Sequence, residues 1–360
     1  MVSISLCMIV KNEEEVLERC LESVKDLVDE INIVDTGSED NTVKIAKKFT
    51  DRVFFYKWTG NFSTARNVSF EYASKDYILY LDADDVILEE DRQKFLKLKQ
   101  SLSSDVDAVS MYYNAGTDEF GNVTLKYRLN RLLKRSRGFS WAGDCHNYLN
   151  VTGNILNSDV GITHKKIKHS VGRNLSIYKE KIKRGDSFTA RDYFYYGNEL
   201  RENGHYQDAI KSYEENIKLT TGWIEDKIYA CINKADCYRF LNIKEKELSS
   251  LFESLNFSKI PRPEISSRIG FNLQRDRKFK EAIYWYQLSI QLEEDFNKWS
   301  FTYPAYSTWY PHLQLCVCYY NLGDYESSYK HNELARSFRP EDDKILFNKE
   351  LLEKKLFLNS

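Results

Sequence analysis

The chain has 360 residues, with 52 basic and 54 acidic side chains and a net charge of −2. That length allows two domains, and the mixed charge gives no global electrostatic reason to expect nucleic-acid binding. No run reaches the roughly 18 apolar residues that a transmembrane helix needs. The opening Met1–Val10 segment lacks a basic region and runs into Lys11-Asn12-Glu13, unlike a signal peptide. The 7 cysteines, an odd number, are scattered in apolar patterns. Reduced core thiols and a cytoplasmic location are therefore expected. Cys316-Val-Cys318 has the wrong spacing for a zinc half-site.

Strands and helices alternate along the first half. A strand is predicted over 3–10, then an amphipathic helix over 13–28 with Val16, Leu17, Cys20, Leu21 and Val24 on one face. Strands follow over 30–34 and 53–56, with a helix over 41–49 between them. A further helix covers 63–73, a strand 77–81, and a helix 89–100. Alternation of this kind predicts a parallel sheet with right-handed crossovers. Further strands are expected over 106–113 and 121–133.

The stretch Tyr77-Ile-Leu-Tyr-Leu-Asp-Ala-Asp-Asp85 carries the most chemistry. An apolar strand runs straight into Asp82, Asp84 and Asp85, and ligands of open α/β sheets bind beyond the carboxyl ends of strands. Side chains alternate along an extended backbone, so Asp82 and Asp84 project to one side. Carboxylates held together call for something positive between them. A divalent cation holding a diphosphate answers that need, and a solvated acidic turn capping the next helix answers it equally well on this segment alone. The predicted strand ends at Lys11-Asn12, Asp35 and Asp82 collect along one edge, which favours the cation. No Gly-x-Gly-x-x-Gly follows the first strand and no Gly-x-x-x-x-Gly-Lys-[Ser/Thr] occurs, so the glycine-loop nucleotide binders are excluded.

Cys7-Met-Ile-Val-Lys-Asn-Glu-Glu14, Ile33-Val-Asp-Thr-Gly-Ser-Glu-Asp-Asn-Thr42, Ala65-Arg-Asn67 and Leu81-Asp-Ala-Asp-Asp85, in this order, resemble the inverting family 2 glycosyltransferases of GT-A fold over roughly the first 170 residues. The resemblance implies a nucleotide-sugar site formed by Val10, Asn12, Glu13, Asp35, Arg66, Asp82 and Asp84. Asp35 would face the uracil or ribose of a UDP-sugar, Arg66 the diphosphate or base, Asp84 an Mn²⁺ or Mg²⁺ ion, and Asp82 the ribose or a metal-bound water. Such an ion would stabilise charge growing on the leaving diphosphate. Relatives that carry helical repeats show Trp-x-Gly-x-x-His-Glu and a later Ile-x-His. This chain has Trp141-Ala-Gly-Asp-Cys-His-Asn147 and Ile162-Thr-His164. Asn147 has no useful basicity, so Asp144 becomes the candidate general base, and His146 and His164 the candidate further metal ligands.

From Asp192 the texture changes to helices spaced by about 35 residues. Tyr193-x-x-Tyr-Gly-x-x-Leu200 with Gly204, Tyr206, Ala209 and Tyr213 follows the tetratricopeptide pattern. The pattern returns at Gly270 to Tyr286 and at Cys316 to Pro340, with a degenerate copy from Ala235 to Leu251. An aromatic insertion over 296–310 reads as a packing plug or as a surface that grips a peptide or second subunit. The expected architecture is an α/β GT-A domain over 1–175, with a mostly parallel sheet, followed by an all-α tetratricopeptide-like domain over 176–360.

Helix-pair arrays commonly bind extended chains, which suggests a peptide or protein acceptor and a homodimer through the repeats. The layout resembles the sublancin-type peptide S-glycosyltransferases, which act on a cysteine of a bacteriocin precursor. A thiol acceptor fits the missing carboxylate at Asn147, because a thiol needs less help from a base than a hydroxyl does. The alternatives are a surface-polysaccharide or lipid-linked acceptor, and a GT-A domain without activity on a repeat scaffold.

Overall fold

The computed structural model describes residues 1–143, 145–165, 167, 173–258, 260–292 and 299–358. The chain divides into two compact units. One comprises Met1–Gly116, Leu125–Ile177 and Trp299–Phe301; the other comprises Thr117–Thr124, Tyr178–Lys298 and Thr302–Ser360.

The α/β part runs β1 (Ile4–Val10), α1 (Leu17–Val24), β2 (Glu30–Asp35), α2 (Thr42–Ala46), β3 (Val53–Phe55), α3 (Phe62–Glu71), β4 (Tyr77–Tyr80), β5 (Asp85–Val86), α4 (Glu89–Ser101), β6 (Ala108–Thr117), β7 (Val123–Lys134), β8 (Trp141–Ala142), β9 (Tyr148–Leu149) and β10 (Ile155–His164). Eight of these strands form one sheet in the order β3-β2-β1-β4-β7-β6-β10-β5, and β8 pairs with β9 apart from it. β1 is parallel to β2 and β4, and β2 to β3. β7 then pairs antiparallel with β4, β10 runs parallel to β6 and β5 closes antiparallel on β10.

β1 and β4 are apolar on both faces because helices cover both sides of a parallel centre. Ile4, Leu6 and Met8 of β1 pack with Leu17, Leu21 and Val24 of α1 in the main core, while Cys7 and Ile78 face a smaller cluster with Ala73. Helix α1 is shorter than the sequence predicts. The backbone N–H of Glu13 donates to Thr42 Oγ1 at 2.7 Å, and that of Glu14 to Asp40 Oδ2 at 3.2 Å. These bonds hold the entry segment in turns against the loop after β2.

Helix α5 (Arg173–Lys183) leads into α6 (Ala190–Glu202), α7 (Tyr206–Lys218), α8 (Ile224–Phe240), α9 (Lys244–Glu253), α10 (Pro263–Arg275), α11 (Phe279–Gln291), α12 (Trp309–Leu322), α13 (Tyr325–Phe338) and α14 (Asp343–Leu358). α6 with α7, α8 with α9, α10 with α11 and α12 with α13 are the paired helices that the repeat pattern predicts. The repeat glycines act by close approach. A Cβ on Gly197 would lie 2.6 Å from a ring carbon of Tyr213, and one on Gly270 would lie 3.0 Å from the ring of Tyr286. Both tyrosines are fully buried, and their hydroxyls donate to Asn198 Oδ1 at 2.8 Å and Gln274 Oε1 at 2.7 Å. In the described part of the aromatic insertion, Tyr303 lies 5.8 Å from the Tyr229 ring of α8, and Arg268 of α10 sits over Tyr306 at 5.7 Å. No described helix is long and apolar enough to cross a membrane.

Candidate active site

Because β1, β2 and β4 are parallel, Val10, Asp35 and the Asp82–Asp85 turn emerge at the same edge of the sheet. The first two ends are tied together. Thr36 donates its N–H, at 2.9 Å, and its hydroxyl, at 3.1 Å, to the Val10 carbonyl. Asn12 takes a positive φ of 55°. Its N–H donates to Ser38 Oγ at 3.0 Å, and its side-chain oxygen accepts from the Glu39 N–H at 2.8 Å. The Asp35 carboxylate accepts from the Gly37 N–H at 3.0 Å and the Ser38 N–H at 3.1 Å. Gly37 has φ 106°, a conformation glycine adopts without steric cost. Val10, Asn12, Glu13 and Asp35 are thus brought together as one braced rim.

The three carboxylates after β4 have different surroundings. Asp82 receives Arg66 Nη2 at 2.5 Å and keeps 37% of its side chain exposed. Burial alone would raise its pKa, but the Arg66 and Arg131 charges hold it below the usual carboxylate range. Asp85 is fully buried and meets Arg131 Nη2 at 3.2 Å. The Tyr113 hydroxyl donates to its Oδ1 at 3.0 Å, and the Asp82 N–H to its Oδ2 at 3.1 Å. Asp84 has neither arginine and instead has His164 Nδ1 at 3.3 Å from its Oδ1.

His164 is delivered by register: β10 places it opposite Asp85 of β5, and its Nδ1 is also 3.3 Å from Asp85 Oδ1. Burial would lower the imidazole pKa, but hydrogen bonds and charge from Asp84 and Asp85 push it up to about 9. At neutral pH its proton supplies the positive charge that carboxylates held this closely require.

Ligand atoms of Asp84, Asp85 and His164 all lie within 4.8 Å of one another. Carboxylate oxygens and an imidazole nitrogen suit a divalent ion such as Mn²⁺, and a cation there would take over the role of the His164 proton. The described residues therefore bring His164, but not His146, into this cluster, and Asp82 turns to Arg66. His146 is half-buried in the loop between β8 and β9. Asp144 lies outside the described residues. In the same loop the Asn147 side-chain nitrogen is buried without a hydrogen-bond partner.

Several contributors were not singled out from sequence. Asn67 pairs with the Trp141 backbone as a strand would, accepting from its N–H at 2.7 Å and donating to its carbonyl at 3.1 Å. Ser63 donates to the Gly143 carbonyl. Trp141 in turn covers Arg66, whose guanidinium lies 4.7 Å from the indole. Arg131, 1% exposed on its side chain, is sandwiched between Tyr80 at 4.7 Å and Tyr113 at 4.6 Å. The available sequence signals were the asparagine completing Ala65-Arg-Asn67 and an arginine beside the apolar pair Leu132-Leu133.

This sheet, with its acidic turn beyond β4, is of the GT-A class. Residues 5–152 match the family described as glycosyl transferase family 2, so this stretch carries a domain of that family, and the helix pairs from α6 to α13 follow it. The SPbeta prophage-derived glycosyltransferase SunS of Bacillus subtilis is 29% identical over 231 residues, covering 60% of this chain and 53% of that protein. A TPR repeat-containing protein of Synechococcus elongatus is 48% identical over 88 residues, covering 24% of this chain and 22% of that protein. This chain thus spans about half the length of the first relative and less than a quarter of the second. Among solved structures, YrrB, titled a TPR protein with an unusual peptide-binding site, aligns with a TM-score of 0.38 at 16% identity, over 50% of this chain and 84% of that one.

Proposed function

We propose that the chain is an inverting, metal-dependent glycosyltransferase that moves a hexose from a nucleotide-sugar, UDP-glucose or similar, to a peptide or protein side chain. The observation that carries this reading is the Asp84–Asp85–His164 donor set at the mouth of a family 2 glycosyltransferase sheet. When bound, Mn²⁺ or Mg²⁺ supplies Lewis-acid stabilisation of the departing diphosphate. Asp84 and His164 hold the ion, and Asp82 lies beside the ribose or a metal-bound water. Arg66 exchanges its contact with Asp82 for the donor's diphosphate. Asp35, with Val10, Asn12 and Glu13, forms the base and ribose end of the donor site.

Two features support a peptide acceptor. Helix-pair arrays commonly bind extended chains, and this chain carries one on the same polypeptide. The acceptor loop has Asn147 in place of a carboxylate, which leaves Asp144 as the base and favours an acceptor that ionises readily, such as a cysteine thiol of a bacteriocin precursor. The domains over 1–175 and 176–360 would divide donor chemistry from acceptor binding and homodimer formation. Cys7, Cys20, Cys231, Cys237, Cys316 and Cys318 are buried thiols outside any disulfide, which supports a cytoplasmic location.

A panel of nucleotide-sugars incubated with and without Mn²⁺ tests the donor and the ion. Release of UDP from one UDP-hexose, dependent on Mn²⁺, is the expected result, and its absence for every donor would remove the reading. Labelled donor incubated with cell fractions tests the acceptor: label on polypeptide is expected, and label on glycan alone excludes the peptide.

A further inference from the structure

Asp85 belongs to the donor set by distance, but its surroundings differ from those of a coordinating group. Its carboxylate is fully buried and meets Arg131 Nη2 at 3.2 Å. It also accepts from the Tyr113 hydroxyl at 3.0 Å and from the Asp82 N–H at 3.1 Å. Those bonds, with His164 at 3.3 Å, fill most of the positions at which two carboxylate oxygens can accept. Arg131 is fixed as firmly. It sits between the Tyr80 and Tyr113 rings, and its Nη1 donates to the Tyr80 carbonyl at 3.2 Å. A side chain held this way cannot swing out to meet a ligand, whereas Asp84, with no arginine beside it, can.

We propose that Asp85, Arg131 and Tyr113 form a buried positioning layer that fixes the ring of His164 and the Asp82–Asp85 turn, so that Asp84 and His164 coordinate the ion and Asp85 does not. The proposal rests on the metal-dependent reading above. Metal-bound histidines commonly donate the N–H of their other ring nitrogen to a carboxylate; His164 Nδ1, 3.3 Å from Asp85 Oδ1, makes that contact here and leaves Nε2 for the ion. Arg131 pairs with this buried carboxylate at 3.2 Å, and a buried charge without such a partner is strongly disfavoured. Tyr113 adds a second anchor to the same oxygen that faces His164.

The test is Mn²⁺ titration calorimetry on the full chain without donor, with urea unfolding of each variant measured alongside. Asp84→Asn should abolish Mn²⁺ uptake. The double variant Asp85→Asn/Arg131→Met removes both buried charges together and should weaken Mn²⁺ about 10- to 100-fold, the usual effect of losing a carboxylate behind a ligating histidine. Tyr113→Phe deletes one hydroxyl, a milder change that keeps the test open if the double variant does not fold, and should weaken Mn²⁺ by about fivefold. Wild-type affinity in both variants would overturn the proposal. So would complete loss in the double variant to match Asp84→Asn, because Asp85 would then be a ligand. A wild-type chain that takes up no Mn²⁺, and so behaves like Asp84→Asn, would remove the metal reading itself and this proposal with it.

Discussion

Asp82 and Asp84 stand two residues apart in the Asp-x-Asp pattern, yet their substitution should separate into different defects. The Asp82 carboxylate is clasped by Arg66 at 2.5 Å, whereas the Asp84 carboxylate faces His164 at 3.3 Å. Asp84→Asn removes a charged ligand from the proposed ion site. Lewis-acid stabilisation is worth several kcal/mol, and each 1.36 kcal/mol is tenfold in rate, so turnover should fall by about three orders of magnitude or more. Asp82→Asn leaves the ion site in place but removes the charged acceptor proposed to meet the donor's ribose. A change of about 1–3 kcal/mol corresponds to about 5- to 150-fold, felt mainly as weaker donor binding. Coupled UDP-release kinetics across a range of Mn²⁺ and donor concentrations resolve the two. Asp84→Asn should lose the Mn²⁺ response, while Asp82→Asn should keep it with a raised donor KM. Equal loss of Mn²⁺ response in both variants would refute the asymmetry.

Three further outcomes follow from the packing. Asn67→Ala removes both bonds to the Trp141 backbone, about 1 kcal/mol each, and should loosen the β8–β9 loop; kcat should fall at least fivefold with the unfolding midpoint of the helical unit unchanged, and an unaffected kcat would count against it. Gly197→Ala gains about 1 kcal/mol of helix propensity but drives a Cβ to 2.6 Å from Tyr213. With overpacking at about 1–3 kcal/mol, urea denaturation should register a net loss, and a stabilised variant would disprove the close approach. Glu30 is half-buried, which alone would raise its pKa, but hydrogen bonds from Ser74, Asn32 and Ser5 pull it down to about 2 from 4.5. Its contribution, about 3 kcal/mol, is complete above pH 4.5 and is lost as pH falls toward 2. The stability gap between wild type and Glu30→Gln should therefore narrow between pH 5 and pH 3; a constant gap would contradict the depressed pKa.

The sequence was most legible where order is local. β1, β2 and β4 declare themselves through apolar runs ending in Lys11-Asn12, Asp35 and Asp82, and the helix pairs through small residues facing tyrosines, as Gly197 does with Tyr213 and Gly270 with Tyr286. Helix α1 was overdrawn because apolar spacing does not reveal that Thr42 and Asp40 take the Glu13 and Glu14 N–H groups. The deeper layer of the site depends on pairings between distant segments. Arg131 meets Asp85 only because β7 returns antiparallel beside β4, and His164 meets Asp84 and Asp85 only because β5 closes on β10. Neither strand alone carries a local pattern announcing its neighbour, so Arg131 in the mixed stretch Arg128-Leu-Asn-Arg-Leu-Leu133 reads as an ordinary strand residue until its partner is known.

The indole of Trp141, stacked on Arg66 and edge-on to Tyr80 at 4.8 Å, gives the pocket its own optical probe. A guanidinium against the ring alters its emission, so a ligand that draws Arg66 away leaves a fluorescence signature without any label. Binding of the proposed donor should thus be visible in stopped flow on the unmodified chain, with Trp141→Phe identifying which of the 6 tryptophans is responding.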